Sequence, residues 1–415
     1  MKPWIPLLSI AVVFAAGTPV RATIYVVDAQ GTGDFATIQD AIDAADDGDE
    51  IVLDNGEYRG AGNHSLDFLG KAITLRSASG DPELCVIVAD GPWDYGVTFD
   101  DDEGPDSVLD GIGITGMDCG GHHIPCPGTA VWVEGASPTI RNVRVTDSRA
   151  GGWASAVSFF DSESLVDGLA VVGGDRAVGI TQSTLELVGC AIEGNATIAS
   201  SGVGIVTYQS DVTIRSSFIR SNRQVPHGSP EGGAGIFCSS SNLLIEDTEI
   251  TDNDSARYGG AILLERSNTL TIRRSTIAGN RAVEGGGIYS SIRGGVNQIT
   301  LEHTILRENC ATVAGTEDAR LVGTLMGSID CSSLDPSRVQ GIGALTLGPT
   351  NSFEDPMLCE PRTCEAPFDD SGIYSLRNGS PLENLEGCGL VGVYGVLCTV
   401  SIQPLSWGQI KSQYR

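Results

Sequence analysis

Pairs of large aliphatic residues five positions apart recur eight times between residues 109 and 306, and this constrains the fold more than any other feature. The pairs are Leu109 and Ile114, Ile140 and Val145, Val166 and Val171, Leu187 and Ile192, Ile214 and Ile219, Ile245 and Ile250, Ile272 and Ile277, and Leu301 and Leu306. Their first members stand 31, 26, 21, 27, 31, 27 and 29 residues apart. A constant internal spacing inside a variable period predicts fixed core strands joined by loops of changing length, which is a solenoid.

Neighbouring columns obey the same alignment. Asn195, Asn222, Asn253, Asn280 and Asn309 each follow the second aliphatic by three positions. Stacked Asn side chains can hydrogen-bond along a coil axis and satisfy turn backbone, so these five are read as a structural ladder. Ser217, Thr248, Ser275 and Thr304 form a small inward column, and Arg215, Glu246, Arg273 and Glu302 alternate in sign. Strands of adjacent coils lie ~4.8 Å apart, which sets those opposite charges face to face. Each repeat closes on small residues before an aliphatic, clearest in Gly259-Gly260-Ala261-Ile262 and Gly285-Gly286-Gly287-Ile288. Glycine there permits corners and close backbone approach.

Stacking such coils pairs like strands in parallel, and parallel crossovers are right-handed almost without exception. The expected fold is all-β: a single-stranded right-handed parallel β-helix with a short N-terminal capping helix and a disulfide-rich C-terminal cap. The composition fits, with 54 Gly and 6% aromatic residues in 415. The Leu-x-x-Leu-x-Leu period of a horseshoe and the hairpin signals of a propeller are absent from the sequence. Phe35, Ile38, Ala41, Ile42 and Ala45 follow helical spacing and can plug the first coil. The divisions expected are a signal peptide at 1–22, an N-terminal cap at 23–50, the solenoid at 51–353, a Cys-rich cap at 354–398 and a tail at 399–415.

The signal-peptide reading rests on Lys2, the apolar stretch 5–16 and Val20-Arg21-Ala22. That stretch is too short to span a bilayer. Secretion or display on the outer cell surface is the expectation. Eleven Cys fit an oxidising compartment. Cys119 with Cys126, Cys359 with Cys364, Cys388 with Cys398 and Cys310 with Cys331 are proximity-based pairings, and the odd count leaves a thiol over. The formal charge is −28, with −19 of it in residues 28–118. Such a field repels nucleic acid; it either attracts divalent or basic partners or serves solubility alone.

Three resemblances bear on function. The stretch Gly33-Asp34-Phe35-Ala36-Thr37-Ile38-Gln39-Asp40-Ala41-Ile42, with Gly56-Glu57-Tyr58, resembles the start of pectin-lyase-like β-helix proteins, pectin methylesterases among them. The Ile-x-x-Asn and Gly-Gly-Ala-Ile elements of residues 187–310 resemble the repeats of polymorphic outer-membrane proteins, which implies surface exposure and adhesion. Ile or Leu replaces the usual Phe, and the C-terminal barrel of that family is not expected here, which puts membrane anchoring in doubt. The tail 406–415 is similar to the ending of uncharacterised secreted bacterial β-helix proteins; it is read as either the close of the cap or a sorting signal.

The search for chemistry leaves two readings. Asp100, Asp101, Asp102 and Asp106 are a candidate Ca²⁺ site, the alternative being a solvated acidic turn. His122, His123, Trp132 and Trp153 are candidate ligand-binding residues, and Arg141, Arg144 and Arg149 with Asp147 are the nearest basic cluster. Catalytic motifs of the esterases and polygalacturonases are missing, so no catalytic residue carries over. The leading expectation is a non-enzymatic binding or adhesion scaffold for a polysaccharide or cell-surface partner. The alternative is a polysaccharide lyase or glycoside hydrolase.

Overall fold

A computed structural model describes residues 22–89, 95–118, 129–149, 154–198, 201–225, 232–291, 295–367, 371–396 and 398. The chain winds into three parallel sheets of 13, 11 and 11 strands, in which each strand pairs with its equivalent in the next coil. The aliphatic pairs sit in register. On the first sheet Leu109, Ile140, Val166, Leu187, Ile214, Ile245, Ile272 and Leu301 stack one above another. On the second sheet Ile114, Val145, Val171, Ile192, Ile219, Ile250, Ile277 and Leu306 do the same. All sixteen are buried and belong to one continuous core.

The five-residue spacing has a local cause. Ile214 points inward, Arg215 outward, and Ser216 turns the corner with φ 50°. Ser217 then points inward and Ile219 resumes the core. Asn142, Asp247, Arg274 and His303 turn equivalent corners with φ between 46° and 52°. The inward hydroxyls bond along the axis: Ser217 N donates to Thr248 Oγ1 at 3.4 Å and Thr248 N to Ser275 Oγ at 3.2 Å. The outward charges meet as ion pairs, Arg215–Glu246 at 3.0 Å and Arg273–Glu302 at 2.8 Å. Such half-exposed pairs set register more than they add stability.

Asn195, Asn222, Asn253, Asn280 and Asn309 form a fully buried ladder. Each side-chain amide donates to the next Oδ1 at 2.9 Å, through four successive steps. Asp318 closes the ladder, accepting from Asn309 N at 3.1 Å and pairing with Arg338 at 3.0 Å. Burial pushes the Asp318 carboxyl up to about 6. A second polar column runs through Ser162, Ser183, Ser210, Ser241, Asn268 and Asn297 at the opposite corner. Gly235 explains the glycine column: an added Cβ would stand 2.5 Å from the Ala261 carbonyl of the next coil.

The first sheet takes in a strand that precedes the helix. A strand at Ile24–Val27 pairs in register with Glu50–Leu53, so the first sheet begins inside the segment read as a cap. Helix Ile38–Ala44 is shorter than the spacing of 35–45 suggested, because Thr37 Oγ1 accepts from Asp40 N and starts it there. Ile38, Ala41 and Ile42 are buried in the core.

The Cys-rich segment lies along the outer face of the second sheet. Its strands Leu358–Glu360 and Ile373–Leu376 pair antiparallel. Tyr374, Leu376, Leu382 and Val391 pack on Ala278 and Ile305, while Tyr394 reaches Ala170, Ala191 and Phe218. Among the described residues the disulfides are Cys310–Cys364, Cys331–Cys388 and Cys359–Cys398. These replace the expected pairings of Cys359 with Cys364, Cys388 with Cys398 and Cys310 with Cys331. Proximity in sequence misled there because the segment folds back over earlier coils. Cys119 and Cys126 lie outside the described residues. Cys85, Cys190 and Cys238 are buried thiols.

Candidate functional site

The third sheet alternates inward and outward residues, as a one-face-buried strand must. In strand Val131–Glu134 the valines enter the core while Trp132 and Glu134 face out. Strand pairing continues both outward columns. Trp132 stands between Thr98 and Ser158, with Asp67 one coil beyond Thr98. Glu134 stands beside Phe160, which is followed by Thr181 and Tyr208 on the next two coils.

Three half-buried rings make contact along the axis. Tyr95 meets Trp132 edge-on at 5.9 Å, and Trp132 meets Phe160 at 4.7 Å and 35°. The Trp132 indole N–H donates to Glu134 Oε2 at 3.3 Å. Beneath them Phe68 and Phe99 pack in the core at 4.4 Å and hold the two coils that carry the carboxylates.

Asp67, Asp100 and Asp101 bring one carboxylate oxygen each to within 4.8 Å of one another. Burial, then repulsion from Asp67, Asp101, Glu103 and Glu134, raises the Asp100 carboxyl above the ordinary range. The Tyr95 phenol is raised as well, by burial and by Asp100 and Glu134. Glu103 is buried; it accepts from Gly70 N at 2.8 Å and Asp101 N at 3.0 Å. It fixes the turn that presents the other acids. Gly70 is required at this turn, since φ is 69° and a Cβ would lie 2.9 Å from the Asp101 carbonyl.

Of the acids singled out in the sequence, Asp100 and Asp101 enter this cluster, whereas Asp102 and Asp106 are exposed outside it. Their place is taken by Asp67 from the preceding coil. Trp132 lies at the centre of the ring row. His122, His123 and Trp153 lie outside the described residues. Arg141, Arg144 and Arg149 form no cluster. Arg141 pairs with Asp110 on the first sheet, Arg144 faces Glu83 on the second, and Arg149 faces Asp118 beyond it. Asp67, Tyr95, Glu134 and Phe160 were not picked out from the sequence. Period-two alternation after Ala130-Val131 and Ala156-Val157 was the available signal for Glu134 and Phe160.

The carboxylate trio can hold a hard cation such as Ca²⁺ or share a proton, and the rings can stack on apolar sugar faces. An open trough of about 600 Å³ on the first sheet has Glu163, Glu186, Asp211, Thr213 and Thr271 in its lining but no aromatic ring.

Residues 129–321 match the family model described as right handed beta helix region. The solenoid is thus a right-handed parallel β-helix. It is similar in structure to pectate lyase Pel9A, at 13% identity, with 91% of this chain and 98% of that chain covered and a TM-score of 0.44. The catalytic domain of a GH87 alpha-1,3-glucanase in complex with nigerose is 11% identical, over 82% of this chain and 71% of that one, with a TM-score of 0.41. The A-module of the Azotobacter vinelandii mannuronan C-5 epimerase AlgE4 is 15% identical, over 77% and 95%, with a TM-score of 0.38. No curated protein sequence matches the chain.

Proposed function

We propose that this right-handed parallel β-helix binds an extracellular polysaccharide on the outer face of its third sheet, as a secreted or surface-displayed scaffold. The contact row Tyr95–Trp132–Phe160 beside Glu134 and the Asp67–Asp100–Asp101 trio is the observation that carries this reading. Aromatic faces supply stacking area at low entropic cost, while carboxylates accept from sugar hydroxyls. Three disulfides fit an extracytoplasmic location. No helix among the described residues is long and apolar enough to cross a membrane.

The test is affinity electrophoresis of the wild type and Trp132→Ala through gels holding neutral or acidic polysaccharides. Retardation of the wild type and a roughly ten-fold weaker interaction for the variant are expected, the loss of one stacked ring. Equal mobility of both proteins in every gel contradicts the proposal.

A second reading, a glycoside hydrolase, is favoured by one observation. Asp100 is held toward the protonated state beside carboxylates less than 5 Å away. Acid-assisted glycosidic cleavage needs a carboxyl group that can hold its proton near a second carboxyl group. New reducing ends released by the wild type and abolished in Asp100→Asn would establish it. Retention without product leaves the scaffold.

A further inference from the structure

We infer that the ligand is a long polysaccharide of low negative charge, lying along the solenoid axis from Tyr95 to Tyr208 rather than occupying one pocket; this rests on the binding face proposed above. The outward column that holds Glu134 and Phe160 continues in unbroken register through Thr181 to Tyr208. Tyr208 is half-buried and its ring packs on the buried Phe237 at 5.4 Å, so a second partly exposed ring stands two coils beyond Phe160. Two coil steps are roughly 10 Å. On the coil between them Thr181 is half-buried and faces out, while Gly179 and the buried Ser158 lie beneath Ser155, whose Oγ would stand 2.7 Å from a Cβ on Gly179. In the column itself, Thr181 is the side chain that stands between Phe160 and Tyr208.

The track therefore has two stacking surfaces separated by a polar step. A short oligosaccharide reaches one of them and an extended polymer reaches both. Engagement of both ends by one chain raises affinity through effective concentration, without new kinds of contact. Charge narrows the ligand class. The track starts among Asp67, Asp100, Asp101 and Glu134, and residues 28–118 carry 22 acids against 3 Lys and Arg. A polyanion approaching this face is repelled, whereas a neutral or amino-sugar polymer is not.

The test uses size-fractionated xylan and laminarin as neutral probes and polygalacturonate and alginate as anionic ones, each intact and as trimers. Affinity is measured for the wild type, Trp132→Ala, Tyr208→Ala and Tyr208→Phe. Circular dichroism melting verifies that each variant is folded. At least one intact neutral polymer should bind at least ten-fold more tightly than its own trimer. Tyr208→Ala should lose about five-fold on that polymer, the worth of one stacked ring, and change trimer binding less than two-fold. Tyr208→Phe should keep the wild-type affinity.

If Trp132→Ala weakens binding and Tyr208→Ala does not, the extended track is wrong and the binding face stands. If neither variant weakens binding, the face itself is wrong. Tighter binding of either polyanion than of both neutral polymers overturns the charge assignment.

Discussion

Replacing Asn253 by Ala should cost far more than its size implies. Its Oδ1 accepts from Asn222 N at 3.1 Å and Asn222 Nδ2 at 2.9 Å, and its own amide donates to the Ile219 carbonyl at 2.8 Å. The site is fully buried, so water cannot replace these partners. Each stranded buried polar group costs ~1–3 kcal/mol, which with partial relaxation gives roughly 3–5 kcal/mol for the three. The matched control is Asn242→Ala, an exposed Asn that donates to Asp211 Oδ1 at 2.6 Å and should cost under about 0.5 kcal/mol. Stacked repeats open coil by coil, so the assay is amide hydrogen exchange across residues 211–280, not a single melting curve. Protection should fall most at residues 218–222 and 249–254. A difference between Asn253→Ala and Asn242→Ala below about 1 kcal/mol would refute the ladder as a source of stability.

Other outcomes follow from the same geometry. Asp252 lies buried under the C-terminal segment, where it accepts hydrogen bonds from Tyr374 Oη and from Gly372 N. Burial and nearby Glu249 push its carboxyl up to about 6, against the help of Tyr374 and Arg362. A folded-state value above the unfolded one means that the stabilisation is present below about pH 4 and is lost as pH rises through 6. Exchange in strand Ile373–Leu376, corrected for intrinsic rate, should therefore report weaker docking at pH 7.5 than at pH 4.5, by at most about 3 kcal/mol. Asp252→Asn should flatten that slope, and a slope unchanged by the substitution would rule the group out. The thiols of Cys85, Cys190 and Cys238 are pushed up to about 12, 12 and 11 by burial and should resist alkylation until the chain unfolds; rapid native labelling would contradict the packed core. Millimolar Ca²⁺ should raise the melting temperature of the wild type but not of Asp100→Asn. Equal shifts would exclude the Asp67–Asp100–Asp101 trio as the cation site.

The solenoid was legible because inward residues repeat with the coil. Ile214, Ile245 and Ile272 could be aligned without coordinates, and the aliphatic spacing of five encodes the corner at Ser216 and its equivalents. The strand Ile24–Val27 was not legible, since no second aliphatic follows it at the same distance. The disulfides were missed for a different reason. Cys364 and Cys388 find partners 54 and 57 residues earlier, on coils reached only because the segment doubles back. The candidate site falls between these cases. Outward residues are free of the packing that enforces a period, so Asp67, Tyr95, Glu134 and Phe160 carry no repeating signature. They become neighbours only once the register is fixed. Asp102 and Asp106 adjoin Asp100 and Asp101 in sequence, yet it is Asp67, from the preceding coil, that shares their site.

Hydrogen–deuterium exchange of the wild type with and without a retained polysaccharide tests the placement of the ligand most directly. Protection confined to residues 95–101, 131–134, 157–160, 178–181 and 205–208 is the expected footprint. Protection instead at residues 184–188 and 211–215, on the ring-free trough of the first sheet, would contradict it.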